Sequence, residues 1–316
     1  MMKKTLIAIA ALAATSVFAQ SSVTISGTFD PSFVNANTTL GDGTSSTANT
    51  VGNNNQGTTV FALSGVEDLG GGLKALFRIE NNFNSDDRTA LSTGQIYTGL
   101  QGGFGSIKVG APNTPSLTTQ ISRSPFVHRI GSGFGGVTGT SKVRHTNSMV
   151  YASPSFSGFS AAIGYVFETA PAAAMTDIGL NYGNGPLKAG LSYYKQSNVN
   201  NQTNLYVNYA FGPATVYAGY HKENKIAAGV TSTSSGTNIG VKYAVTKSVN
   251  LLANHARLND QTVANLDRNI TGIGAQYVLS KRTSAYARYV QENNSNVALS
   301  AAKGVRTTLV GLQHNF

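Results

Sequence analysis

The sequence contains no cysteine, so no disulfide can brace it and its stability has to come from the fold itself. Charge is scarce as well: Asp, Glu, Lys and Arg make up 11% of the chain, against about 25% in an ordinary water-soluble domain. Beyond the amino terminus no long apolar run occurs, which excludes a membrane helix, because crossing hydrocarbon takes roughly 20 apolar residues. Yet 41% of the residues are hydrophobic. Together these absences describe a protein with little water-facing outer surface and no spanning helix.

Glycine and strand formers fill the space. Thirty-five glycines, fourteen tyrosines and many Asn, Ser and Thr favour strands and turns over helices. The opening "MMKKTLIAIAALAATSVFA" has two lysines, an apolar stretch from Leu6 to Ala14 and small residues before Gln20. It reads as a secretory signal spanning residues 1–19, with one domain over 20–316. Loss of Lys3 and Lys4 leaves 21 basic against 13 acidic residues, a net charge of +8. A basic surplus suits nucleic acid, anionic lipid or anionic solutes, and export removes nucleic acid as a partner.

Period-two alternation runs through most of the remainder. Phe159, Ala161, Ile163, Tyr165 and Phe167 share one face, as do Leu205, Val207, Tyr209 and Phe211, and Ile239, Val241, Tyr243 and Val245. Ser160, Gly164, Asn208, Gly240 and Lys242 lie opposite. One face is oily and the other wet. These segments last ten or more residues without turn residues, the length of a tilted strand crossing a membrane rather than the ~5–6 residues of a soluble sandwich.

Sixteen such segments begin near residues 22, 57, 71, 93, 104, 144, 157, 174, 186, 202, 213, 235, 248, 267, 282 and 304. Short connections, such as 66–70, 102–103, 183–185 and 280–281, alternate with long ones near 35–56, 84–92, 112–143, 169–173, 197–201, 223–234, 260–266 and 294–303. An even strand count with turns short on one side and long on the other describes an all-β, 16-stranded antiparallel transmembrane β-barrel. Closure is required because lipid satisfies no open sheet edge. The ending "TTLVGLQHNF" is then the last strand, with Thr308, Val310, Leu312, His314 and Phe316 toward lipid, paired with "SSVTISGTF" near the start.

Four strings carry a resemblance: "LSGVEDLGGGLKALFRIEN", "NSMVYASPSFSGFSAAIGY", "LSKRTSAYARY" and "VGLQHNF". In this order they resemble the trimeric general porins of β-proteobacteria and Neisseria. The resemblance implies a sixteen-stranded homotrimer in the outer membrane, a long third loop folded into the lumen, and a terminal Phe316 read by the barrel-assembly machinery. Outer-membrane lipid and lipopolysaccharide would surround it. No cofactor is required.

A water-filled barrel selects solutes by its narrowest width and by the charges there. The longest connection, 112–143, carries Arg123, His128, Arg129 and Lys142 but no Asp or Glu. The candidates at inward parity on the wall are Lys74, Arg78, Lys108, Lys188, Lys242 and Arg288, with Glu80 and Asp30 as the acids. Where the resembled family commonly has wall arginines, this sequence has Val60, Ala111 and Val150. The basic charge is thus moved partly from wall to loop, and a weakly to moderately anion-selective diffusion pore is expected.

The remaining motifs are weaker. "GSGFGG" (131–136) fits G-x-G-x-x-G without a strand–helix context. Asp86 and Asp87 form an acidic pair in a polar loop. The histidines show no metal-ligand spacing, and no G-x-S-x-G elbow marks a hydrolase, so the chain is read as no enzyme. Two alternatives stand beside a general diffusion pore for small hydrophilic solutes. A channel selective for phosphate or organic anions would show saturable conductance; an outer-membrane enzyme or adhesin would show hydrolysis or a large passenger.

Overall fold

The computed structural model describes residues 22–85, 92–133, 143–168, 174–227, 230–261 and 266–316. Its chain order is β1 (Ser22–Phe29), β2 (Pro31–Leu40), β3 (Ser45–Asn53), β4 (Val60–Gly70), β5 (Leu73–Asn82), β6 (Ser92–Gly102) and β7 (Gly105–Ala111). The short helix α1 (Pro115–Ile121) precedes β8 (Ser148–Ala152), β9 (Phe159–Val166), β10 (Met175–Asn184), β11 (Leu187–Gln196) and β12 (Asn200–Phe211). The chain ends with β13 (Ala214–Ala227), β14 (Val230–Ala244), β15 (Val249–Asp260), β16 (Arg268–Val278), β17 (Thr283–Asn294) and β18 (Ala302–Asn315).

Neighbouring strands pair antiparallel, and the eighteen segments make sixteen staves. β1 and β2 form one stave interrupted at Asp30, and β3 and β4 form the next, interrupted by residues 54–59. The pairing shows this directly: β1 pairs with β4 and β2 with β3, while both β1 and β2 pair with β18. Gly27 and Phe316 exchange backbone hydrogen bonds of 3.0 Å in each direction, which closes the barrel. No sheet edge is left for lipid at that seam.

The alternation of the sequence explains which side faces out. Ile239, Val241 and Tyr243 are exposed, and so are Phe159, Ile163 and Tyr165, as expected of a surface meant for hydrocarbon. The polar residues between them, Asn204, Asn238 and Asn254 among them, are buried on the other face. Thr308, Val310, Leu312 and His314 of β18 and the following Phe316 are exposed, in the expected parity.

Three expected long connections are shorter than the sequence suggested. Residues 35–56 contain the hairpin of β2 and β3, only 197–199 separate β11 from β12, and β13 and β14 extend to Ala227 and from Val230. Polar composition was misleading here, because above the apolar band a strand's outer face meets water and tolerates Asn, Thr and Ser. Asn35 donates to Asn49 at 2.7 Å and Asn37 to Thr47 at 2.9 Å, so the hairpin is laced by its own polar side chains. The turn expected at 66–70 lies slightly later, where Gly70, Gly71 and Gly72 all take positive φ, a conformation that favours glycine.

Candidate functional site

The connection between β7 and β8 lies against the polar face of the sheet, and side chains of the wall fix its backbone. At its start, Ser116 gives both its backbone N–H (3.1 Å) and its hydroxyl (2.6 Å) to Asp177 of β10. Further along, Gln120 donates to Gln202 at 2.9 Å, and Asn238 of β14 donates to the Arg123 carbonyl at 2.6 Å. Asn254 of β15 then donates to the carbonyls of Gly131 (3.1 Å) and Ser132 (3.2 Å). The segment therefore follows the wall from β10 to β15.

Arg123 is part of this attachment. Only 2% exposed, it donates from Nε to the Gln120 carbonyl (3.2 Å) and from Nη1 to Asn204 (3.4 Å). Burial pushes its pKa down to about 9. Its charge is enclosed between loop and wall.

The tip of the segment meets the 54–59 interruption of the second stave. Arg129 donates from Nη1 to the Asn54 carbonyl at 3.3 Å and from Nη2 to the Thr58 hydroxyl. Arg288 of β17 donates to the carbonyls of Asn55 and, at 3.1 Å, Ile130, with its guanidinium 4.8 Å from the Phe126 ring. Beneath them Asp30, wholly buried, accepts the N–H groups of Gln56 (2.7 Å) and Gly57 (2.8 Å) and the Tyr286 hydroxyl (2.7 Å). The gap in the first stave thus supplies the carboxylate that holds the gap in the second.

A second charged group stands on β5. Glu80 pairs with Arg78 at 2.8 Å and with Arg144 at 3.4 Å, and Arg144 also donates to Asn113 at 2.8 Å. The two groups feel one another. Burial lowers the Arg129 pKa to about 10, with Asp30 opposing and Arg288 and Arg144 adding to the fall. Burial first, then Arg129 and Arg144, pushes His128 down to about 4, so its imidazole is neutral at pH 7. Four guanidiniums (Arg78, Arg129, Arg144, Arg288) share this region with two carboxylates (Asp30, Glu80), a surplus of two positive charges.

The other expected residues lie apart from it. Lys74 stands in register between Asp68 and Gln101 near the β4–β5 turn, and the Lys108 amine sits 4.9 Å from the Tyr97 ring centre. Arg78 and Lys108 line a cavity of about 560 Å³, and Lys188, Lys242 and Arg288 line another of about 530 Å³. Val150 faces Lys108 across β7 and β8, so that wall position is apolar. Val60 pairs with Thr28 and Asn82, and Ala111 with Ile96. Lys142, Asp86, Asp87 and the end of the 131–136 glycine run lie outside the described residues.

Sequence reasoning missed Arg144 and the 54–59 interruption. Arg144 falls one residue beyond the boundary set for the long loop, where alternation already reads as strand. The Asn-rich stretch before Val60 reads as loop without showing that it bends toward the arginines.

A closed barrel, apolar outside and carrying a cation-rich polar face within, defines the transmembrane β-barrel class. Within that class the chain belongs to the Gram-negative porin family, whose model matches residues 5–297, and its place is the outer membrane. Among curated relatives, outer membrane porin protein 32 of Delftia acidovorans is 34% identical over 214 residues, 62% of this chain and 60% of that protein. An outer membrane porin protein of Bordetella pertussis is 31% identical over 213 residues, 58% of this chain and 54% of the relative. The matched stretches thus span somewhat over half the length of these relatives. Among solved structures, the anion-selective porin from Comamonas acidovorans superposes with a TM-score of 0.83 at 24% identity, covering 94% of this chain and 100% of that one.

Proposed function

We propose that this protein is a passive diffusion channel for small hydrophilic solutes and ions, with a modest preference for anions. The observation that carries the reading is the surplus of guanidiniums over carboxylates where the segment from Asn113 to Gly133 meets Arg78, Glu80 and Arg144. In a narrow, partly low-dielectric passage, uncompensated charge acts far more strongly on ions than it would in bulk water. On this reading the segment folds into the lumen and narrows it, and Arg129, Arg144 and Arg78 face passing solute. The solved anion-selective porin shares the fold; the anion preference proposed here rests on the charges of this chain.

The assembled form is proposed to be a homotrimer. Residues 1–19 act as the export signal and Phe316 as the residue read by the assembly machinery, with lipopolysaccharide around the outer rim. Purified protein in planar bilayers should give open, ohmic channels, and proteoliposomes should swell in small sugars at rates that fall with solute size. Closed bilayers with no swelling would reject the channel and favour an adhesin or enzyme.

A further inference from the structure

The cavity of about 530 Å³ is roofed by the stretch from Ile121 to Val127 and walled by Lys188 of β11, Lys242 of β14 and Arg288 of β17. Its wall residues come from the short-turn halves of their strands: Lys188 is the second residue of β11, and Lys242 lies two before the end of β14. No carboxylate lines it; the other polar groups are amides, hydroxyls and phenols, including Gln276 and Tyr217. A volume of this size holds a small organic solute rather than a single ion.

The two lysines differ from the arginine group and from Lys108. Arg78 and Arg144 are paired with Glu80, Arg129 and Arg288 are tied to carbonyls, and Lys108 lies over Tyr97. Lys188 and Lys242 have no protein partner among the described residues, so six ammonium N–H donors point into a water-filled space with nothing to neutralise them. In register, Lys188 pairs with Asn208, Asn208 with Tyr217 and Tyr217 with Gly240, two residues before Lys242. Three inter-strand steps separate the backbones, about 14 Å of wall, and the four-carbon stems let both amines reach inward. One compact monovalent anion meets only one of them. A solute with two or more acidic groups meets both.

We propose that this chamber is a binding subsite for polyvalent oxyanions on the short-turn side of the loop, centred on Lys188 and Lys242 and adjoining the arginine group at the loop tip through Arg288. The inference rests on the channel reading above. Solute entering from the short-turn side meets Lys188 and Lys242 before it reaches Arg129, Arg144 and Arg78, which lie outside the chamber. The subsite therefore acts from one side of the membrane, raising the local concentration of such solutes at the mouth of the narrow passage.

The test is single-channel current at low salt with citrate or tripolyphosphate added to one side, and acetate as the monovalent control. Wild-type protein should show saturable block by at least one polyvalent probe, stronger from one side, and no saturable block by acetate. Block by citrate alone assigns the subsite to polycarboxylates, and block by tripolyphosphate alone to phosphates. K188Q/K242Q should weaken the block about tenfold, two charge contacts of roughly 0.7 kcal/mol each, while the KCl reversal potential keeps its sign because the arginines remain. K188R/K242R, which keeps the charge, should retain the block and so separates charge from folding. Block that is equal from both sides and unchanged in K188Q/K242Q would overturn the subsite. A wild-type protein that conducts nothing would instead overturn the channel reading.

Discussion

At the residue scale, two cations of one loop have opposite fates. Arg123 is enclosed by Gln120 and Asn204, whereas Arg129 reaches across to Asn54 and Thr58. Both were legible in the sequence as loop charges, but nothing in a one-dimensional pattern distinguishes an anchor buried against the wall from a charge that meets the interrupted stave. His128 offers a pH test. Its folded pKa of about 4 lies below the ordinary 6.5, so the docked loop binds fewer protons than the free chain. Its contribution to docking is complete above about 6.5 and is lost as pH falls through about 4. Open-channel noise in wild-type protein should therefore rise as pH is lowered from 6 to 4, and His128→Gln should remove that part of the rise. Identical acid profiles in the two proteins would show that His128 does not couple to the loop.

Among elements, the strands were the most legible and the loop the least. Period-two alternation locates the staves because lipid outside and polar groups inside leave each position one allowed character. The fragments β2 and β3 escaped because their outer face meets water, where that constraint lapses. The docking of the loop depends on close backbone approach, which leaves only glycine as a trace. A Cβ at Gly272 of β16 would stand 2.8 Å from the Gly131 Cα and 3.1 Å from its carbonyl oxygen. Neither backbone atom can turn aside as a side chain does, so Gly272→Ala must push the loop off the wall at a cost of about 1–3 kcal/mol. Single-channel conductance should change and the unfolding temperature in detergent should fall. An unaltered conductance and temperature would mean that the loop does not pack there.

For the whole molecule, the closed barrel was readable from strand count and turn lengths, and its family from four short strings. Its charge layout was not. Arg144 and the interruption at 54–59 become part of the site only when distant strands are brought together, and the carboxylate that steadies that interruption, Asp30, is separated from it by the whole β2–β3 hairpin. The central claim is that the guanidinium surplus around Arg129, Arg144, Arg78 and Arg288 makes the pore favour anions. The most direct measurement is the reversal potential in a planar bilayer under a KCl gradient, for wild type, R129A/R144A and R123A. Removing two guanidiniums leaves two cations against Asp30 and Glu80, so the double variant should lose its chloride preference. R123A, which removes an enclosed charge, should keep it. A wild type that favours potassium, or a chloride preference that survives in R129A/R144A, would contradict the account.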